Sequence, residues 1–390
     1  MLDNTSYEKY KELYSDIGLV LPENVYDYIR DVDNRTKGYF EKDWINNTKD
    51  NLKHNFKDGW INDGYEGLAR NKAVIAVGAG PSFNRNKDVL HHVSTIDGMR
   101  EFQYQDFITI VSNHQIKPCL EMGIIPHFAI LGDASKNLES QMDVGEDGKY
   151  TTLIANIYSH PDVVKKWPGP VRFITGGSPE ILEVIDKHLG YLYDRRRCTV
   201  GGGNVLNLAF MISMGLFKAS AWICVGNDLS FPRHEDLNER RKGFYADGDY
   251  STNIKSKRDE AEKELAWMGY EFPNGEIISP LNYVNFKLVN TSKQMFVYKT
   301  WLEATSLLSW KKGSLYTLYN CSEQGILGVV LKEDAQDPEK RNERLDGEKW
   351  MLMDEVAPNR WRTYKLEDAL REFMAAKTHL YQMNKGVLLH

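Results

Sequence analysis

The stretch Ala73-Val74-Ile75-Ala76-Val77-Gly78-Ala79-Gly80-Pro81-Ser82 constrains the fold more than any other part of the chain. Five small or β-branched apolar residues in a row read as a buried strand of a parallel sheet. Gly78 and Gly80 let the backbone turn without a Cβ clash. Pro81 suits the first position of a helix, where its fixed φ is already helical and its missing N–H is not needed. Free N–H groups at such a helix start, with the helix dipole behind them, attract an anion, most often a phosphate. The dinucleotide fingerprint would place a third glycine where Phe83 stands, and no Gly-Lys-Ser/Thr follows to make a Walker pattern. The motif therefore reads either as a phosphate-holding turn or as an ordinary tight strand–helix connection.

The residues that follow repeat this design. Apolar runs at 107–111, 127–131, 151–155, 171–175 and 219–225 read as strands, and helix candidates at 114–122, 179–188 and 203–215 separate several of them. Such alternation predicts an α/β fold of Rossmann-like type, with a doubly wound, mostly parallel sheet. In sheets of this kind ligands sit beyond the carboxyl ends of the strands, where the strand order reverses. Polar clusters follow the runs there: Gly78–Ser82, Ser112-Asn113-His114-Gln115, Gly132-Asp133-Ala134-Ser135, Gly201-Gly202-Gly203-Asn204 and Gly226-Asn227-Asp228-Leu229-Ser230. Each alone is accounted for by a turn with a capping side chain. Five at one sheet edge point to a nucleotide or another phosphorylated ligand.

Around this core, residues 1–70 read as a helical N-terminal cap, with Tyr7, Tyr10, Leu13 and Tyr14 on one helix face and Val25, Tyr26 and Ile29 on a second. Trp44, Trp60 and Tyr65 supply aromatic docking surface. Residues 71–232 form the Rossmann-like nucleotide-binding core. Residues 233–331 form a lid and helical part of the same unit, with helices at 254–268 and 291–310. Residues 332–390 form a charged linker and a helical tail around 365–383. With 42% hydrophobic and 27% charged residues in 390, the composition is that of a globular protein rather than a disordered or membrane-spanning one. The formal charge of −6 gives no global reason to expect nucleic-acid binding. Basic runs at 194–197 and 239–242 read as solvated loops. Four scattered cysteines without a C-x-x-C pair, and no basic-then-apolar N-terminus, fit a reducing, cytoplasmic setting.

Taken together, these motifs resemble the superfamily of 6-hydroxymethylpterin diphosphokinase-like proteins and motility accessory factor glycosyltransferases. More distantly, they resemble the bacterial sialyltransferases that use CMP-sialic acid. The resemblance is carried by Val74–Ser82 with Phe83, by Ser112–Gln115 and by Gly123-Ile124-Ile125-Pro126-His127, where His127 replaces an acid. Gly202-Gly203-Asn204-Val205, Ile223–Leu229 and Asn320-Cys321-Ser322-Glu323-Gln324-Gly325-Ile326-Leu327-Gly328 complete it, with Gln324 replacing a glycine. It covers about 71–331 and leaves the outer segments untouched. It implies transfer of either a diphosphate or a sugar, and the chain length and the Ser322-Glu323 segment look more like the sugar-transferring branch.

The resemblance also suggests roles. Gly78, Ala79, Gly80, Pro81 and Ser82 would hold a phosphate through main-chain N–H groups and the Ser82 hydroxyl. Asn113 and Asp133 resemble positions that meet phosphate and ribose; Gly202, Gly203 and Asn204 present another helix start, and Asn227 is a further candidate for binding the nucleotide. Asp228 is the acid singled out for catalysis, near a sugar donor or on Mg²⁺, and His234 the base for an acceptor hydroxyl. For each, capping or a surface position is the structural alternative. Glu323 would line the site from the far side, and Asp247-Gly248-Asp249 matches a D-x-D metal motif by chance composition. The expectation is a glycosyltransferase of sialyltransferase-like type, using a nucleotide-activated donor, plausibly a CMP-linked acidic sugar, and no added cofactor. The alternatives are an ATP- and Mg²⁺-dependent diphosphokinase or a non-catalytic nucleotide-binding protein. Partners would be the donor and an acceptor that is a protein, a glycan or a modified nucleic-acid base, with no membrane span; a homo-oligomer is allowed.

Overall fold

The computed structural model describes residues 23–94, 106–176, 179–190, 203–230, 291, 293–331, 350–358 and 360–387. The apolar runs form the strands β1 (Ala73–Val77), β2 (Phe107–Ser112), β3 (Phe128–Leu131), β4 (Thr152–Asn156), β5 (Val171–Ile174) and β6 (Ala221–Val225), and β7 (Thr317–Asn320) and β10 (Trp361–Thr363) join them. All eight lie in one sheet of order β10-β7-β6-β1-β2-β3-β4-β5, with every neighbouring pair parallel. A short antiparallel pair, β8 (Val329–Leu331) and β9 (Trp350–Leu352), stands apart.

Both faces of the sheet are covered, which is why its strands read as continuous apolar runs rather than as alternating ones. Val74, Ala76, Ile110, Ile130 and Trp222 face one layer, with α6 (Val205–Met211) and α7 (Lys293–Lys311). Ala73, Ile75, Val77, Val111 and Ile223 face the other, with α2 (Phe83–Ser94), α3 (Asn113–Glu121), α5 (Pro179–Leu189) and α9 (Leu366–Val387). This is the expected Rossmann-like α/β architecture, with helical extensions at both ends of the chain.

The extensions are built into that architecture. The chain segment read as two N-terminal helices contains one long helix, α1 (Glu23–His54); the Tyr7–Tyr14 segment lies outside the described residues. Asn47 and Asn51 of the helix, with Asn55 just past its end, dock it on the loops after β3 and β4. Asn47 Nδ2 donates to Ala134 O and Tyr158 O (3.1 and 3.0 Å), Asn51 Nδ2 to Ile157 O and Ser159 O (2.8 and 2.7 Å), and Asn55 Nδ2 to Pro161 O at 3.1 Å. Beyond α1, residues 59–61 pair with Phe173 and cover the β5 edge, which would otherwise present unpaired strand groups. At the other end, β10 adds a strand to the sheet within the segment read as linker and tail. Leu366, Ala369, Leu370 and Phe373 of α9 are core residues. The expected helix at 203–215 is α6 followed by a π turn over Ile212–Leu216. Among the described residues no helix is long and apolar enough to cross a membrane.

Candidate functional site

The strand order reverses at β1: the chain runs outward through β2 to β5, then returns to add β6 on the opposite side of β1. The crevice beyond the carboxyl ends of β1 and β6 is therefore the switch point at which α/β sheets bind ligands. The loops there interlock. Gly78 N–H donates to Val225 O and Gly80 N–H to Gly226 O, both at 2.8 Å. A Cβ on Gly78 would lie 2.4 Å from Gly226 O, and one on Gly226 (φ +67°) would lie 2.4 Å from Gly78 O. These glycines are required because two main chains touch.

Asp228, next along the β6 loop, is buried against the start of α2. Its carboxylate accepts from Ser82 N–H at 2.9 Å, from the Ser82 hydroxyl, and from Gln324 Nε2 at 2.8 Å. The helix start expected to hold a ligand phosphate already carries an anion, and that anion is the chain's own. The expected donors are correspondingly engaged: Gly78, Gly80 and Ser82 N–H each have a protein partner, Pro81 has no N–H, and the Ser82 hydroxyl is bonded to Asp228. Only Ala79, half-buried, keeps an N–H that no described residue accepts. Nor does Asp228 open on the crevice as a catalytic acid would, being 1% exposed. Burial raises its carboxyl to about 6 against the three hydrogen bonds that favour the charged form.

A third segment closes this junction from the β7 side. Ser322 Oγ accepts from Asn227 N–H at 3.1 Å, and Gly325 (φ +89°) abuts the Asp228 carbonyl so closely that no Cβ would fit. Gln324, the departure from the family pattern, supplies the third hydrogen bond to Asp228. Glu323 turns its main-chain carbonyl to Arg85 Nη1 at 3.0 Å. The segment is anchored on α7, where Glu303 Oε1 accepts from Gly328 N–H at 2.8 Å and Oε2 from Lys299 Nζ at 2.6 Å. Burial pushes both partners of that ion pair toward their neutral forms, Lys299 down and Glu303 up.

Outside this closed junction the carboxyl edge is less satisfied. Ser112 Oγ at the end of β2, Asn227 Nδ2 after β6 and Asn156 Oδ1 at the end of β4 are buried side-chain atoms without a hydrogen-bond partner among the described residues. Buried polar atoms are rarely left this way in a native fold unless something else meets them. Asn113 Nδ2 donates to Gln141 Oε1 at 3.2 Å. Asp133 accepts from Ser135 N–H at 2.7 Å and is exposed, though the protein around it raises its carboxyl above the usual range. Asn204 caps α6, accepting from Asn207 N–H at 2.7 Å, so its oxygen serves the helix rather than a ligand. Gly203 packs against the Tyr298 ring. His114 sits at the α3 start with its imidazole held neutral, its pKa lowered by burial to about 4. His127 precedes β3 at the opposite edge of the sheet, bonded to Thr109.

The structure thus brings Gly78–Ser82, Asn113, Asp133, Gly203, Asn204, Asn227 and Asp228 to one edge. Gly202, His234, the Asp247–Asp249 motif and both basic runs lie outside the described residues. Sequence reasoning named Ser112 only as part of the Ser112–Gln115 cluster, without a role, and passed over Asn156 and Tyr158. The signal was present, since Asn156 directly follows the run Thr152–Ala155, where the edge rule says to look. Among the described residues no group of three or more His, Cys, Asp or Glu is placed to hold a metal ion.

Among curated proteins none matches the chain. Among solved structures it is similar to a MAf glycosyltransferase from Magnetospirillum magneticum AMB-1, at 15% identity and a TM-score of 0.47, over 72% of this chain and 36% of that one. The chain thus spans about a third of that protein's length. Residues 42–234 match the family model described as 6-hydroxymethylpterin diphosphokinase MptE-like. That span runs from the docked half of α1 through β6 and holds the β1–β6 switch point, so the match to the MptE-like family falls on the part of the sheet where α/β folds bind ligands.

Proposed function

We propose that the protein is a transferase acting on a nucleotide-activated donor, and that it transfers a sugar to an acceptor hydroxyl. The observation that carries the reading is the pair of unpartnered donors on either side of β1. Ser112 Oγ and Asn227 Nδ2 follow the two strands that flank β1, about 10 Å apart by strand spacing. With the Ala79 N–H between them they offer hydrogen bonds to the oxygens of a phosphate lying over the Gly78–Gly80 loop. The phosphate then sits beside the α2 start, whose own anion is Asp228. Asp228 acts as a positioning residue: it holds the α2 start, the β6 loop and Gln324 in one arrangement, and so fixes where Asn227 stands.

In the transfer itself the acceptor oxygen attacks the anomeric carbon, the bond from that carbon to the donor phosphate breaks, and the nucleoside phosphate leaves. The acceptor proton passes to a base, for which His234 remains the candidate. Donors of the CMP-linked kind are the first to try. The family description favours a second reading, transfer of diphosphate from ATP to a pterin-like alcohol.

A thermal-shift panel with CMP, CDP, UDP, GDP, ADP and ATP, each with and without Mg²⁺, separates the two. A ligand at 100 times its Kd stabilises the fold by about 2.7 kcal/mol. Stabilisation by a nucleoside mono- or diphosphate without metal supports sugar transfer. Stabilisation by ATP with Mg²⁺ alone moves the assignment to diphosphate transfer, and no shift with any of them overturns the nucleotide reading.

A further inference from the structure

Asn156, whose Oδ1 has no partner among the described residues, lies three strands away from the β1 loop counted from β1 to β4, about 14 Å by strand spacing, too far to meet the same phosphate. Its surroundings differ in kind from those of Ser112 and Asn227. The Asn156 side chain hydrogen-bonds the Tyr158 hydroxyl, and Asp133 at the end of β3 is close enough for its charge to act on that phenol. The Tyr158 ring rests on Trp44 of α1, with centroids 5.1 Å apart, and its main-chain carbonyl is held by Asn47 at 3.0 Å. On the side of β5 the described residues leave space. A Cβ built on the exposed Gly176 would meet only Tyr158 Cε1 at 3.9 Å and Asn156 Nδ2 at 4.0 Å.

The polar atoms in this group are chiefly acceptors. Asn156 Oδ1 accepts and cannot donate, the Asp133 carboxylate only accepts, and the Tyr158 O–H adds one donor. No lysine or arginine among the described residues pairs with Asp133. Such a set suits hydroxyl groups, which donate to the acceptors and take one hydrogen bond back from the phenol, next to an aromatic face against which a ring's C–H surface packs. It does not suit an anion, which would face Asp133 with no described lysine or arginine paired to that carboxylate.

We infer that the ends of β3 and β4 form a second subsite, built from Asp133, Asn156 and Tyr158 and open beside Gly176, that takes a neutral polyhydroxylated ring. The inference deepens the donor reading, on which it rests for what the ring is attached to. It also narrows that reading: the sugar placed here is uncharged, not an acidic one.

The test compares UDP with UDP-N-acetylglucosamine and CMP with CMP-N-acetylneuraminate by calorimetric titration. In parallel, saturation-transfer NMR uses free N-acetylglucosamine and free N-acetylneuraminate. The variants are Tyr158→Phe, which keeps the ring on Trp44, and Asp133→Asn, which keeps an oxygen for Ser135. The expected result is that the neutral sugar adds about tenfold to the affinity of its nucleotide and the acidic sugar adds nothing. Tyr158→Phe should remove that gain and leave the bare nucleotide within about twofold. Asp133→Asn should raise the saturation transfer to free N-acetylneuraminate. If nucleotides bind but neither sugar adds affinity nor shows saturation transfer, or if the gain survives Tyr158→Phe, the subsite is overturned. If no nucleotide binds while free N-acetylglucosamine shows transfer that Tyr158→Phe abolishes, the donor reading falls and the subsite stands. Silence in every arm overturns both.

Discussion

Two regions of the carboxyl edge of the same sheet are finished in opposite ways. At the β1–β6 junction the Gly78, Gly80, Ser82 and Asn227 N–H groups each meet a protein acceptor, glycines let two backbones touch, and the anion at the α2 start is Asp228. At the ends of β2 and β4, and at the Asn227 side chain, buried polar atoms have no partner among the described residues. The glycine-rich turn that looked most like a ligand cradle is a protein–protein contact within one chain. Less conspicuous residues, at the ends of β2 and β4 and just after β6, carry the unmet hydrogen bonds. Close packing at a motif and ligand contact at a motif produce the same glycines, and only the neighbours tell them apart.

The closed side should be the costly one to disturb, and its anchor on α7 most of all. Glu303 is buried, pairs with Lys299 and accepts from Gly328 N–H. Glu303→Leu leaves a buried ammonium uncompensated and should cost about 3–5 kcal/mol in chemical denaturation. The double variant Lys299→Met/Glu303→Leu, which removes both charges, should recover much of that loss. A single variant as stable as wild type would mean that the β7–β8 segment is not anchored there.

Gly226→Ala tests the interlock itself. The new Cβ meets Gly78 O at 2.4 Å on a backbone with φ +67°, so both main chains must shift. The expected loss is about 3 kcal/mol, and nucleotide affinity should fall with it, because Asn227 is the next residue. Retained stability would show that the two loops have room to part.

For Asp228, substitution and pH separate shape from charge. Asp228→Leu leaves Ser82 N–H, the Ser82 hydroxyl and Gln324 Nε2 unmet and should cost about 2–3 kcal/mol. Asp228→Asn can keep the bonds to Ser82 N–H and Gln324. The wild-type carboxyl is raised from 3.8 to about 6, so the folded state holds the proton more tightly than the unfolded state. The stability this proton contributes is complete below pH 3.8, is lost as pH rises toward 6, and is flat above. Wild type should therefore lose about 3 kcal/mol relative to Asp228→Asn across that interval. Parallel pH profiles for the two proteins would mean that Asp228 does not titrate there.

Much of this contrast could be read beforehand, and its limits follow from how each signal arises. Strands buried on both faces announce themselves as apolar runs, so β1 to β6 and the edge at which they end were legible. β10 was not, because a three-residue edge strand of Trp361, Arg362 and Thr363 carries no run and no alternation long enough to register. The asparagine ladder of α1 was hidden for another reason: Asn47, Asn51 and Asn55 are surface-type residues, and only the docked loop makes their spacing meaningful. At the site, residue types were visible but partners were not. Asp228 was chosen as an acid in the right place, yet its partners, Ser82 and Gln324, lie 146 and 96 positions away along the chain. Gln324 looked like a lapse from a glycine pattern and is instead the donor that completes the Asp228 cage.

The smallest expected effect on stability belongs to the open side, and it sharpens the comparison most. Ser112 Oγ is buried without a partner, so the fold bears the cost of desolvating a hydroxyl that gains nothing in return. Ser112→Ala removes that cost along with the atom, and stability should be unchanged or rise by up to about 1 kcal/mol. Nucleotide binding should weaken about tenfold, since one hydrogen bond to the phosphate is gone. On the closed side stability and binding fall together; here they should move apart. That separation is what a residue kept for a ligand, rather than for the fold, must show. If Ser112→Ala instead lowers the melting temperature and leaves nucleotide affinity intact, the hydroxyl has a partner within the protein, and the two sides of the edge are alike.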